Sequence, residues 1–539
     1  MRRAFALVLA LCPLVAAAGP APDAAAARIR AHVAFLADDL LEGRAAGSRG
    51  FEIAARYVAT EFDSLGLRPA GTAGGWFQPV ELVEATPAIT AGEFVIERDG
   101  RAVRLESTVD FLPAADFTAE QSSVTAPAEF VGFGVSAPER GYDDLAGVDL
   151  RGKVAVLLSG APASFDSESQ AHYSSTLTKY PELVRRGAVG FVTVLTAVDE
   201  QRTPWARQVQ RSWFPRMRWL AADGRPVDAF PELKRGALLS RAGATRLLDG
   251  TGHSIDEIFA TASAGKPQHF ALPGQVTLAG RTTLARRRSE NVVAALDGAD
   301  PVLRKEYVVM TAHLDHLGIG AAVDGDSIYN GALDNASGVA VMLEVARMLS
   351  AEGRRPKRSV LFVALTAEER GLLGSDVFAR QPPVPKDALV ADVNMDMPVA
   401  LGPVADWVAF GAEHSTLGPV AARAARAEGY ALAPDPLPEE HVFVRSDQYM
   451  FVRQGIPSLY MSTGSGSKDP AVDVKARWED FLKNHYHMPS DDVSLPIHYP
   501  SLAGLARVDA RIVREVADAP QRPAWNAGDF FGAMFAPPR

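Results

Sequence analysis

YVVMTAHLDHLG (residues 307–318), YNGALDNASGVAVMLEVARML (329–349), SVLFVALTAEERGLLGS (359–375) and ALVADVNMDMP (388–398) decide how the chain reads. Three apolar runs in this stretch (307–310, 360–365 and 389–393) each end in side chains that can bind a metal. These are His313 with Asp315, Glu368 with Glu369, and Asp396. Asp334 stands between the first two runs, at the start of an apolar helical segment. Short β-rich runs alternating with helical ones predict an α/β domain on a central mixed, mostly parallel sheet flanked by helices. Ligands of open α/β sheets sit beyond the carboxyl ends of the strands, where these residues fall. The pattern is that of a buried carboxylate and imidazole metal site.

Outward from this stretch, the 539 residues suffice for more than one domain. With 47% hydrophobic and 22% charged residues, the composition is that of a globular protein. A net charge of −10 argues against nucleic acid as a partner. Arg2 and Arg3, the apolar residues 4–15 and Ala16-Ala17-Ala18 read as a signal peptide over residues 1–18, cleaved before Gly19. Its removal takes Cys12, the only cysteine. No later run is long enough for a membrane span, so stable membrane insertion is not expected. Periplasmic or secreted location is the expectation.

Residues 19–119 open the main domain. After an Ala-rich spacer, 29–41 reads as a helix. LEGRAAGSRG (41–50) is a turn, and 51–65 reads as a second helix stopped by Gly66. From Glu120 to about residue 275, EFVGFGV, GKVAVLL and GFVTVLT predict a small β-rich module inserted in the larger domain. Residues 204–219 hold three of the seven tryptophans. They read either as packing between the two parts or as an aromatic, basic wall facing a substrate. The main domain resumes over 276–525, and NHYHMPSDD (484–492) brings His485 and His487. A tail, 526–539, is apolar and Pro-rich and carries no assigned role.

Zinc accepts imidazole nitrogen and carboxylate oxygen. Five ligands suffice for two ions if one carboxylate bridges, and Asp334 is placed to do so. His313 and Asp396 would complete one ion, and Glu369 and His487 the other. Two such ions clamp and acidify a water, and Glu368 would accept its proton. Asp315 and Asp491 are expected to accept the second ring N–H of the ligand imidazoles. Each piece has a plainer reading as well: a core histidine, a solvated Glu-Glu helix start, or a helix cap at Asp334. His316, His441 and His485 are assigned to the surface or to a supporting position.

Taken together, TAHLDHLG, GALDNASG, LTAEERGLLGS, VNMDMP and YHMPSDD resemble the di-zinc aminopeptidase family of vacuolar and leucyl aminopeptidases and glutamate carboxypeptidases. The resemblance implies a phosphorylase/hydrolase-like zinc exopeptidase fold, two Zn2+ and peptide substrates. It implies His313, Asp334, Glu369, Asp396 and His487 as metal ligands, and Glu368, Asp315 and Tyr486 as catalytic residues. Glu368 would be the base, and Tyr486 would help hold the oxyanion. It also implies a cis peptide after Asp334 and a protease-associated identity for the 120–275 module. Where many members have Ser-Asp-His, this chain has Ser446-Asp447-Gln448. The activity implied is an aminopeptidase. The alternatives are a carboxypeptidase or dipeptidase, a one-zinc glutaminyl cyclase, and a receptor-like homologue without catalysis. Oligomeric state is open.

Overall fold

The structure is a computed structural model that describes residues 23–536. The expected signal peptide lies outside these residues. Among the described residues, ten strands build the main sheet. Its middle four, Ser359–Leu365, Tyr307–His313, Leu389–Met395 and Ser458–Thr463, run parallel in that spatial order. Antiparallel neighbours close both sides: the end of Phe270–Leu296 on one, Asp406–Phe410 on the other. The central strands are buried along their whole length, which is why they read as continuous apolar runs instead of alternating ones.

One face is covered by the helices Ala24–Leu36, Arg49–Ser64, Ser337–Ala351, Leu417–Ala427 and Tyr499–Asp518. Ser337–Ala351 is apolar nearly all round and lies at the centre of this layer. Its one acid, Glu344, is buried but held by Arg28 and Arg347. The opposite face is covered by Leu373–Arg380, Gln448–Val452 and the short C-terminal helix Phe530–Phe535.

The first helix differs from the expectation of 29–41. It spans Ala24–Leu36 because the Asp23 carboxylate caps it, accepting from Ala25 N at 2.9 Å and from Ala26 N. Residues 24–28 of the Ala-rich spacer are therefore helical. The second helix, Arg49–Ser64, buries Phe51, Ala54, Ala55, Val58 and Phe62. The mixed sheet flanked by helices is thus the observed architecture.

A second sheet has its own hydrophobic core. It contains Glu93–Arg98, Phe111–Pro113, Gln121–Phe130, Val154–Leu158, Gly190–Val194 and Gly236–Leu239. The 27-residue strand Phe270–Leu296 joins the two sheets, pairing with Gln121–Phe130 in one and Ser359–Leu365 in the other. The tail packs as well: Phe531 is fully buried, and Phe530 touches the cores of both parts.

Candidate metal centre

Four of the functional side chains stand where a central strand stops. His313 is the last residue of its strand. Glu368 and Glu369 follow the strand Ser359–Leu365, and Asp396 follows Leu389–Met395. Asp334 lies in the turn before the helix Ser337–Ala351, and the Asp334–Asn335 peptide is cis. Asn335 binds this turn to the end of the neighbouring strand. Its amide donates to Met395 O at 2.9 Å, and its side-chain oxygen accepts from Gly338 N and Met397 N. His487 arrives from a loop near the C-terminus, in a left-handed conformation with φ 58°.

The five expected ligands converge. His313 Nε2 lies 3.0 Å from Asp396 Oδ1 and 3.2 Å from Asp334 Oδ1. His487 Nε2 lies 3.2 Å from Asp334 Oδ2 and 3.1 Å from Glu369 Oε2. Asp334 therefore offers one oxygen to each histidine. A sixth group joins them. His316, expected at the surface or in support, is fully buried, with Nδ1 2.7 Å from Glu369 Oε1 and 3.9 Å from Asp334 Oδ2. Its signal was its position, three residues after His313 in HLDH. Too short to be a helix face, that spacing gave no direction for the second ring. His485 bonds Ser490, and His441 bonds Ser167.

Two supporting acids act differently from the expectation. The His313 Nδ1 partner is the backbone carbonyl of Asp315 at 3.0 Å. The Asp315 carboxylate instead accepts from the backbone N–H groups of Glu368 and Glu369. Asp491 likewise accepts from the N–H groups of Leu333 and Asp334, at 2.9 and 3.0 Å. Both carboxylates orient the ligand-bearing turns. The sequence shows the acid but not which polar hydrogen is nearest. Arg44, from the opening turn, is buried beneath them and donates to the carbonyls of Leu36, Leu314, Asn330 and Gly331. In Ser446-Asp447-Gln448, Gln448 and Ser446 both accept from the Asn394 amide.

Burial pushes the Glu368 carboxyl well above its usual range, with His313 opposing and Glu369 and Asp396 adding to the rise. For Glu369, burial acts in the same direction but is outweighed by His487 and His316, which hold it well below. Burial raises Asp315 and Asp491 to about 6 and Asp447 to about 7. So many carboxylates in a dry site call for cations. Both His316 ring nitrogens and Glu369 Oε1 are buried without an aligned hydrogen bond among the described residues. Imidazole and carboxylate donors of this kind fit zinc. Two ligand sets are apparent, His313/Asp334/Asp396 and His316/Asp334/Glu369, each with its donor atoms within 4.8 Å of one another.

A pocket of about 240 Å³ opens over Asp334, Glu368, Asp396 and His487, with Tyr460 and Tyr486 in its wall. Arg202, Arg207, Arg211 and Arg445 line it too. Arg207 donates to the Tyr486 carbonyl, and Arg211 Nη2 lies 2.7 Å from His487 Nδ1. Two of the four arginines of the 204–219 stretch, Arg207 and Arg211, thus face the site. Its tryptophans do not. Trp219 is buried and donates to Asp376, while Trp213 is 57% exposed and does not line the pocket.

Comparison with known proteins fits this geometry. Residues 291–513 match the family model described as Peptidase family M28. The match spans the site-bearing part of the chain, and the family it points to is of the kind expected from the motifs. The second sheet lies outside the match. Mouse (Mus musculus) "Aminopeptidase NAALADL1" is 33% identical over 135 residues, 24% of this chain and 16% of that protein. A "Probable zinc metalloprotease" of Pyrenophora teres f. teres (strain 0-1) is 37% identical over 106 residues, 20% of this chain and 22% of that protein. The chain thus spans less than a quarter of the length of either curated relative. The solved aminopeptidase from Aneurinibacillus sp. strain AM-1 superposes with a TM-score of 0.53 at 20% identity, covering 92% of this chain and 95% of that one. That likeness is one of fold.

Proposed function

We propose that this chain is a two-zinc exopeptidase that removes amino-terminal residues from peptides. The observation that carries the reading is Asp334, which turns one carboxylate oxygen to each of two ligand sets beside Glu368. His313 and Asp396 would hold one ion. Glu369 and His487 would hold the other, with His316 against Glu369. Zinc bound there supplies an acidified water and a polarised carbonyl. Glu368 takes the proton from the water and returns it to the departing amine nitrogen. Burial keeps the Tyr460 and Tyr486 phenols protonated, so each can donate to an oxygen gaining negative charge. The 120–275 module, read as a protease-associated domain, forms part of the pocket wall through Arg202, Arg207 and Arg211.

A second reading is a carboxypeptidase or dipeptidase, favoured by the four arginines that line the pocket. Substrates with a blocked amine or a blocked carboxylate separate the two. The aminopeptidase loses cleavage when the amine is blocked and keeps it when the carboxylate is amidated; the reverse pattern assigns the second reading. We also propose export, supported by the basic, apolar and small-residue start at residues 2–18. Mass spectrometry of the exported protein is expected to find an amino terminus near Gly19.

A further inference from the structure

We propose a separate divalent transition-metal site, with zinc as its natural occupant, formed by Glu168, Glu413 and His414 where the second-sheet module, the main domain and the C-terminal helix meet. One donor atom from each of the three lies within 4.8 Å of the others. None of them belongs to the cluster around Asp334.

His414 is the decisive group. It is 5% exposed, and its Nε2 has no hydrogen-bond partner among the described residues. The nearest acid to that nitrogen, Glu413 Oε1, is 3.6 Å away. The other nitrogen, Nδ1, is 2.6 Å from Asp529 Oδ2. A carboxylate on one ring nitrogen puts the proton there and leaves the lone pair of the other free for a metal. The ring is also fixed in place, stacked on Phe443 at 5.0 Å and edge-on to Phe531 at 5.0 Å. An imidazole held by packing and by a carboxylate, with a bare nitrogen facing two glutamates, is a built donor set. One nitrogen and two carboxylate oxygens suit zinc better than calcium or magnesium, which take oxygen alone.

The donors come from two parts of the fold, and the partner of the second ring nitrogen comes from a third. Glu168 begins the helix Ser167–Ser174 of the module. Glu413 and His414 follow the strand Asp406–Phe410. Asp529 caps the C-terminal helix, accepting from Gly532 N at 2.7 Å. Other bonds already cross this joint: Ser167 Oγ to Pro438 O at 2.8 Å, and the Asn526 amide to Glu413 O at 2.7 Å. A cleft of about 620 Å³ lined by Glu168 and Glu413 gives an ion access. Phe410 and Val442 line both this cleft and the pocket over Asp334, so an ion here steadies a shared wall.

The test counts zinc per chain in the full-length protein after dialysis against micromolar zinc. It compares native protein with Glu168→Gln/Glu413→Gln and with His414→Gln. Each variant is expected to hold one zinc fewer than native and to hydrolyse an aminoacyl anilide within about twofold of native. Zinc is expected to slow proteolytic cutting within 524–536 in native protein and not in the variants. The double variant changes half-buried and exposed positions, so it guards against a folding defect at His414. Equal zinc counts in all three proteins would overturn the proposal and leave His414 as an ion-pair partner of Asp529 only.

Discussion

Glu368 and Glu369 are adjacent, of one chemistry, and opposite in environment. Glu369 sits between two imidazoles, with Oε2 3.1 Å from His487 and Oε1 2.7 Å from His316. Glu368 has no such partner, and burial favours its protonated form. A base needs a proton affinity that a ligand does not. Gln at Glu368 keeps the volume and removes the proton acceptor. Turnover is expected to fall by about 10²–10⁴-fold, with zinc retained. Gln at Glu369 is expected to lower zinc content first, because a neutral amide oxygen is a poorer ligand than a carboxylate. Zinc per chain and turnover measured side by side settle the assignment; loss of metal in the first variant and retention in the second would exchange the roles.

At the scale of elements, the site depends on how the helix Ser337–Ala351 meets the end of the strand Leu389–Met395. Gly338 makes that approach possible. A Cβ there would lie 2.1 Å from Asn335 Oδ1 and 2.7 Å from Met395 O. Gly338→Ala must therefore displace the side chain that ties the Asp334 turn to Asp396. Overpacking of this kind costs roughly 1–3 kcal/mol. The expected result is a lower Tm together with weaker zinc binding; an unchanged zinc affinity would show that the turn holds itself. The same elements show what a sequence discloses. Strand ends and the residues after them were legible because buried parallel strands read as apolar runs that stop abruptly. Asp334 was legible from its place before an apolar helix. His316 was not, because burial of a ring three residues from a ligand depends on the loop path. Arg44 was not, because its partners are backbone carbonyls distant in sequence. The roles of Asp315 and Asp491 needed atomic positions, since a carboxylate can accept from any nearby N–H. The start of the first helix was missed by reading Ala-rich sequence as spacer when Asp23 caps it.

For the whole molecule, the metal-ligand cluster and the second-sheet module meet at the same pocket. Among the described residues no helix is long and apolar enough to cross a membrane. Removing zinc leaves Asp334, Glu369 and Asp396 as close, buried carboxylates around three imidazoles. A ligand at a thousand times its Kd stabilises a fold by roughly 4 kcal/mol, so chelation is expected to lower Tm clearly and zinc to restore it. The module enters through Arg211, whose Nη2 lies 2.7 Å from the His487 ring. A guanidinium stays charged and can only donate. When Nε2 of His487 holds a cation, Nδ1 carries a proton, and two donors then face each other. Arg211 therefore opposes metal at His487, by Coulomb repulsion and by competition for the ring nitrogen. Two unit charges about 7 Å apart at an effective dielectric of 20 to 80 repel by roughly 0.6–2.4 kcal/mol. Arg211→Gln is thus expected to bind zinc about threefold to fiftyfold more tightly in chelator competition. Arg211 lines the pocket together with Arg207 and Arg445. The same variant is then expected to raise KM for substrates with a carboxylate near the cleaved bond more than for neutral ones. Weaker zinc binding in Arg211→Gln would show instead that Arg211 supports the His487 ring, and the module would be a brace for the metal centre.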